Sequence, residues 1–197
     1  MTRFMRTAFL SLFIAATAGA MCAAPIHLRS GSFEPSVGGQ ASVSQSTRER
    51  GCFIIQFAGP VREEWKSMLT LMGVRLVHYI PDNAFLAHLK STSPQQVKNL
   101  DFVAWVVPLE PHQRVHPELK ASAAPRLDSV IGLADAAAAP EVVQRLRAWQ
   151  AEILSSDAGS IYIRASLPAA ALDGLSRLDD VVWVEPWLQP RIQNASS

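Results

Sequence analysis

Apolar positions in residues 52–108 alternate between two spacings, which predicts alternating strands and helices. A helix is predicted over 61–72 because four apolar residues recur at the spacing of one helical face: Trp65, Met68, Leu69 and Met72. Gly73 follows where a helix C-terminal glycine belongs, and Ser93-Pro94 predicts the N-cap and first residue of a short second helix. Strands are predicted over 53–57, 74–80, 84–89 and 103–107, with a turn at Pro81-Asp82-Asn83.

This order of elements returns later in the chain. Val103-Ala-Trp-Val-Val-Pro108 reappears as Val181-Val-Trp-Val-Glu-Pro186, 78 residues on, so Trp105 corresponds to Trp183. The second set is predicted as strand 128–133, helix 140–150, strands 152–156 and 160–165, helix 168–178 and strand 181–185. The fold class is therefore α+β: two tandem ferredoxin-like βαββαβ units, each a four-stranded antiparallel sheet with two helices on one face.

These patterns divide the chain into six segments. The first ferredoxin-like unit is expected over 51–108 and the second over 127–190, followed by a C-terminal tail, 191–197. The connector, 109–126, holds three prolines and is expected to be extended. Residues 21–50 are rich in Ser, Gly, Gln and Pro and are interpreted as a flexible leader.

Residues 1–20 have the pattern of a signal peptide, which predicts a secreted or periplasmic protein. Arg3 and Arg6 precede the apolar run 8–18, which is too short to span a bilayer, and Ala18-Gly19-Ala20 is a small-residue cleavage site. A lipoprotein anchored at Cys22 is the alternative, although Met21 is not the small residue such a signal requires; otherwise no membrane association is expected after cleavage. Cys22 and Cys52 could pair in an oxidising compartment, or Cys52 could be a buried cysteine beside a strand.

Several predicted strands are apolar on both faces, which is unusual for a sheet covered on one side by helices. Residues 103–107, 84–87 and 181–184 all lack polar alternation. A contiguous apolar surface of more than about several hundred Å2 is rarely left exposed on a monomer. We expect a partner to cover at least one sheet; the alternative is that the two units pack on each other.

The chain offers no grouping of residues that predicts catalysis, a cofactor or a metal. His112 and His116 lie among prolines and are not expected on a helix, while Glu63-Glu64 and Asp179-Asp180 fit a helix N-terminus and a turn. No glycine-rich phosphate loop or Gly-x-Ser-x-Gly motif is present. With 18 basic and 17 acidic residues, and no basic residues beside the strand aromatics, nucleic-acid binding is not expected.

Four segments of the first unit together resemble a known module. They are Phe53-Ile-Ile-Gln-Phe-Ala-Gly-Pro-Val-Arg-Glu-Glu-Trp65, Leu71-Met-Gly73, Tyr79-Ile-Pro-Asp-Asn-Ala-Phe-Leu86 and Phe102-Val-Ala-Trp-Val106. The module is the fervidolysin-like N-terminal prodomain of secreted bacterial subtilisin-like serine proteases. His116-Pro-Glu-Leu119 fits it as well, and the second unit, up to Asn194, resembles the further prodomain that precedes the catalytic domain.

The resemblance implies a non-catalytic propeptide-like protein whose partner is a subtilisin-like serine protease catalytic domain. Such prodomains act as intramolecular chaperones, and their C-terminal tails occupy the substrate cleft as temporary inhibitors. The family's Asp, His and Ser motifs occur nowhere in the chain, so a stand-alone prodomain, a split gene and a fragment remain open. The alternative function is a structural protein-interaction module of the cell envelope with no protease partner. The partner-binding residues implied are Trp105, Trp183, Trp187, Leu188, Gln189, Pro190, Arg191, Ile192, Gln193 and Asn194.

Overall fold

The computed structural model describes the backbone of residues 26–28 and 31–33, and all of residues 49–188. Strands β1 (Ile26–Leu28) and β2 (Gly31–Phe33) pair antiparallel as a small separate sheet. The leader was predicted without regular structure, and these two strands are a difference from that prediction. The predicted signal peptide and Cys22 lie outside the described residues.

The first sheet follows the predicted elements closely. Its order across the sheet is β4-β5-β3-β6, and every neighbouring pair is antiparallel. Strand and helix ends agree with the sequence prediction to within two residues, because turns and caps mark them. The elements are β3 (Gly51–Phe57), α1 (Glu63–Leu71), β4 (Val74–Ile80), β5 (Ala84–Leu89), α2 (Pro94–Lys98) and β6 (Val103–Pro108).

Local chemistry explains these boundaries. Gly73 ends α1 with φ of 84°, and Asp82 and Asn83 turn the chain between β4 and β5 with φ of 66° and 59°. Residues with short polar side chains and glycine tolerate this left-handed region best. Ser93 caps α2: its Oγ accepts from Gln96 N–H at 3.3 Å, while Gln96 Oε1 accepts from Ser93 N–H at 3.0 Å.

The connector is not extended, so that prediction was wrong. It forms two short helices, α3 (Pro111–Arg114) and α4 (Pro117–Ala121), each beginning at a proline. A first helical residue needs no N–H partner, and proline already has a helical φ there. Glu110 N–H donates to Gln113 Oε1 at 2.9 Å, which completes a capping arrangement at the start of α3.

The second sheet repeats the topology of the first. Its order is β10-β7-β9-β8, again antiparallel throughout. Residues 49–188 therefore form an α+β fold with two four-stranded antiparallel sheets and six α-helices. Both strand orders are consistent with tandem ferredoxin-like units. A 3-10 turn (Ala136–Ala138) precedes α5. The elements are β7 (Arg126–Leu133), α5 (Ala139–Ala148), β8 (Glu152–Ser155), β9 (Tyr162–Pro168), α6 (Ala171–Ser176) and β10 (Val181–Pro186).

A third apolar cluster joins the two units, in addition to one core inside each. Cys52, Ile54 and Leu86 enter it from the outer face of the first sheet, and Ala134 and Val182 enter it from the second unit. Ile54 is 0% exposed and Leu86 6%. We expected a partner to cover at least one sheet; for the first sheet, the units instead pack on each other. The strands lack polar alternation because both of their faces are covered.

The buried side chain of Arg114 ties the connector to the second unit. Arg114 is 1% exposed, and its Nη1 donates to the carbonyls of Leu178 at 2.5 Å and Val181 at 2.8 Å. Its Nη2 donates to the Leu109 carbonyl at 3.0 Å, and Leu109 N–H donates to Cys52 O in β3 at 2.9 Å. The guanidinium therefore fixes the end of the first unit against the strand β10.

Replacing Arg114 by Met is predicted to lower the free energy of unfolding by about 3 kcal/mol, because the carbonyls of Leu109, Leu178 and Val181 lose hydrogen bonds to a charged donor, and each such bond contributes about 1.5–3 kcal/mol. The measurement is urea unfolding at neutral pH. Arg145→Met is the matched control: Arg145 is exposed, its pairing with Glu141 is at 3.3 Å, and such surface pairs contribute little. Equal stability of the two variants would contradict this role of Arg114.

Candidate functional site

The outer face of the second sheet carries an accessible apolar surface in the part of the chain that the structure describes. Along β9, Ile163, Ala165 and Leu167 are buried, while Tyr162 and Arg164 point to the other face. Tyr162 is 51% exposed. We call this surface the aromatic face and define it by Val130, Tyr162, Arg164, Trp183, Glu185, Trp187 and Leu188.

Trp183 lies flat across β7 because the neighbouring residue is a glycine. Gly132 pairs with both Trp183 in β10 and Tyr162 in β9. A Cβ at Gly132 would lie 2.3 Å from Cε2 of the Trp183 ring, which is far inside van der Waals contact. The absence of a side chain lets the indole reach Tyr162, with ring centroids 5.7 Å apart and a tilted geometry.

Trp187 is held on the sheet just beyond the end of β10. Its N–H donates to Asp128 O at 2.9 Å, and the guanidinium carbon of Arg164 lies 4.1 Å from its ring centroid. Arg164 Nε is buried and has no hydrogen-bond partner among the described residues. The face of the Trp187 ring therefore stabilises the positive charge of Arg164 by a cation–π interaction.

A groove runs along the aromatic face beside the connector. Its volume is about 620 Å3, and His116 and Glu118 of the connector form one wall. Leu188, 77% exposed, stands at its edge. Its lining offers apolar contacts and the charged side chains of Glu118 and Glu185 to a ligand. It suits the binding of an apolar peptide or protein surface.

The structure divides the predicted partner-binding residues into three groups. Trp183, Trp187 and Leu188 come together on the aromatic face. Trp105, their counterpart in the first unit, is half-buried in the cluster between the units, and its buried Nε1 has no hydrogen-bond partner among the described residues. Trp183 packs partly against the same cluster, so the two tryptophans differ in that Trp183 also lines the groove. Gln189, Pro190, Arg191, Ile192, Gln193 and Asn194 lie outside the described residues.

Other candidate chemistry has structural explanations in the described part of the chain. Glu63 and Glu64 lie in the first turn of α1, as predicted. His116 precedes α4, where its Nδ1 accepts from Glu118 N–H at 3.3 Å. No three potential metal ligands converge within residues 49–188, and no helix there is long and apolar enough to cross a membrane.

Sequence analysis did not single out Tyr162, Arg164 or Gly132. The signal was available for β9, because Tyr-Ile-Arg-Ala-Ser-Leu alternates with a period of two and predicts one polar-aromatic face. Gly132 could not be interpreted without the register, since its importance comes from the strand that lies beside it.

Comparison with known families gives one match. The family described as Domain of unknown function (DUF8729) matches residues 27–110, which are 84 of the 197 residues. The matched segment contains the first sheet and ends two residues after β6, and the description assigns no function. No curated protein matches the chain.

Gly132→Ala is predicted to displace the Trp183 indole and to lower the free energy of unfolding by about 1–3 kcal/mol, the usual cost of forcing an extra methyl into a packed site. Urea unfolding measures the loss, and tryptophan fluorescence reports the altered surroundings of the ring. The control is Gly59→Ala, where an added Cβ meets nothing within 4 Å. If both variants have the stability and the fluorescence of the wild type, the position of the Trp183 ring does not depend on the missing side chain of Gly132.

Proposed function

We propose that this chain is a non-catalytic, propeptide-like protein that binds a subtilisin-like serine protease as folding chaperone, inhibitor or both. The observation that carries the proposal is the aromatic face, an accessible apolar surface that leads directly into the C-terminal segment. The residues quoted from the first unit and the connector, which resemble protease prodomains, supply the class of partner.

The docking surface in this proposal is the second sheet alone. The outer face of the first sheet is covered inside the chain, so its apolar strands lend no support to partner binding. On the second sheet, Tyr162 and Leu188 remain exposed, and Trp183 and Trp187 are half-buried between them. Aromatic anchors with a charged surround are typical of protein-binding surfaces.

The C-terminal segment would occupy the protease cleft in a product-like way. Because Trp187 is fixed by Asp128 and Arg164, the segment available to a cleft begins at Leu188. It continues through Pro190, which would slow cleavage next to a scissile bond, to the expected processing point near Asn194. The aromatic face and the segment would then bind the same partner at two adjacent places.

We also infer that each unit is ferredoxin-like in full, with both helices on one face of its sheet. Leu69 of α1 and Val97 of α2 belong to the same core cluster as Phe53 and Ile55 of β3. Ile54, which alternates with them, belongs to the cluster between the units. This division of alternate residues supports one helical face and one face available for other contacts.

The site of action in this proposal is secreted or periplasmic. It rests on the basic head, the apolar run and the small-residue triplet of residues 1–20.

A structural interaction module of the cell envelope is the second candidate. The cluster between the units favours it, because two units that cover each other's apolar strands need no protease to do so. In this case the aromatic face would contact an envelope protein instead.

Purified mature chain is predicted to slow peptide hydrolysis by at least one of a panel of secreted subtilisin-like proteases. Leu188→Asp should weaken inhibition at least tenfold, since it places a charge where an apolar contact is proposed, and deletion of residues 189–197 should abolish cleft blocking. Inhibition constants from initial rates are the measurement.

Leu71→Asp is the matched control, because Leu71 is 89% exposed at the end of α1 and distant in sequence from the aromatic face. Its inhibition constant should equal that of the wild type. Absence of inhibition across the panel, together with no improvement in the refolding yield of the same proteases, would overturn the proposal and favour the envelope module.

A further inference from the structure

His88 is a buried histidine in the contact between the two units. It lies on β5 with 4% exposure, opposite Cys52 of β3 and Arg75 of β4. Its Nε2 is 3.6 Å from Oδ1 of Asp180 in the second unit. Its Nδ1 is buried and has no hydrogen-bond partner among the described residues.

The charged groups around His88 come from both units. Asp179 and Asp180 precede β10, Asp135 follows β7, and Lys90 follows β5 on the side of the first unit. Lys90 Nζ donates to Asp135 Oδ2 at 2.7 Å, and Arg75 is 3.4 Å from the same oxygen. Asp135 is thus already paired with two cations. Asp180 is the carboxylate whose charge acts most strongly on the imidazole of His88.

A proton on His88 is therefore disfavoured in the closed structure. Burial lowers the pKa of the imidazole from the ordinary value of 6.5, and Asp180 offsets this only in part. The hydrogen bond from Lys90 lowers the pKa of Asp135, so that carboxyl stays ionised in the range where histidine titrates.

We propose that His88 makes the contact between the units sensitive to pH, and that its protonation separates the second unit from the outer face of the first sheet. The surface uncovered would include Ile54, Leu86 and Ala84, which are buried in the closed form. Acidification would thereby convert a compact chain into one with an accessible apolar sheet. The inference does not depend on a protease partner, because its readout is the exposure of that surface.

The direction of the effect follows from linkage. Since the folded-state pKa of His88 lies below its unfolded value, the neutral form stabilises the closed contact. That stabilisation is complete above a pH of about 6.5 and is lost as the pH falls towards the lower folded-state pKa. Acid therefore opens the contact, and alkali does not.

The first experiment follows binding of an apolar dye to the purified chain between pH 7.5 and 5. Wild type and His78→Leu are expected to show a several-fold rise in dye fluorescence below pH 6.5, while His88→Leu is expected to stay low. His78 is the matched control, because it lies exposed on the neighbouring strand β4. A rise of the same size in all three proteins, or in none, would overturn the proposal.

A second measurement covers the case in which His88→Leu does not fold. NMR titration of the wild-type imidazole should give an apparent pKa for His88 below 6.5, and Asp180→Asn should lower it further. The dye transition of this variant should move to higher pH, because a proton on His88 then disfavours the closed form more strongly. General destabilisation of the contact by this variant would also raise the pH of the transition, but it would bring the apparent pKa of His88 closer to 6.5. An apparent pKa at or above 6.5 in the wild type, or a pKa in Asp180→Asn that lies closer to 6.5 than that of the wild type, would contradict the role of His88.

Discussion

The packing of the second unit on the outer face of the first sheet is the contact on which the rest of the structure depends. Ile54, Leu86 and Val182 are almost completely buried in it, and burial of each such side chain contributes about 1.5–3 kcal/mol. The guanidinium of Arg114 donates hydrogen bonds to the carbonyls of Leu178 and Val181. The connector therefore fixes the position of β10 relative to the first sheet. Two small sheets become one body because they share this cluster.

This contact determines which surfaces can have a function. It covers Ile54 and Leu86 on the outer face of the first sheet in the closed form. It leaves the aromatic face of the second sheet, where Gly132 lets Trp183 lie flat and Arg164 holds Trp187. The two related tryptophans of the repeat, Trp105 and Trp183, both pack against the cluster between the units, and Trp183 also contacts Tyr162.

The strands, the turns and most of the helices could be predicted from sequence because their signals are local. Ser93 and Gln96 cap α2, Gly73 ends α1, and the repeat at 78 residues transfers the first pattern to the second unit. The helices of the connector could not be predicted in this way because proline both breaks helices and begins them, and Pro111 and Pro117 begin them here.

The sequence of an apolar strand does not show which surface covers it. The doubly apolar pattern at 84–87 correctly indicated a second covered face, but the identity of the covering surface depends on tertiary packing. The role of Arg114 could not be predicted for the same reason. In the sequence it is an ordinary charged residue of the connector, and its role becomes visible only from its burial and its hydrogen bonds to three carbonyls. Tyr162 and Arg164 belong to the aromatic face because of their neighbours on the adjacent strands, which only the register of the sheet shows.

Calorimetric unfolding at pH 7.5 tests most directly whether the two units form one body. A shared cluster predicts a single transition in which the calorimetric and van't Hoff enthalpies agree, because neither unit keeps its covered strands without the other. Two separable transitions, one for each unit, would contradict this account of the fold.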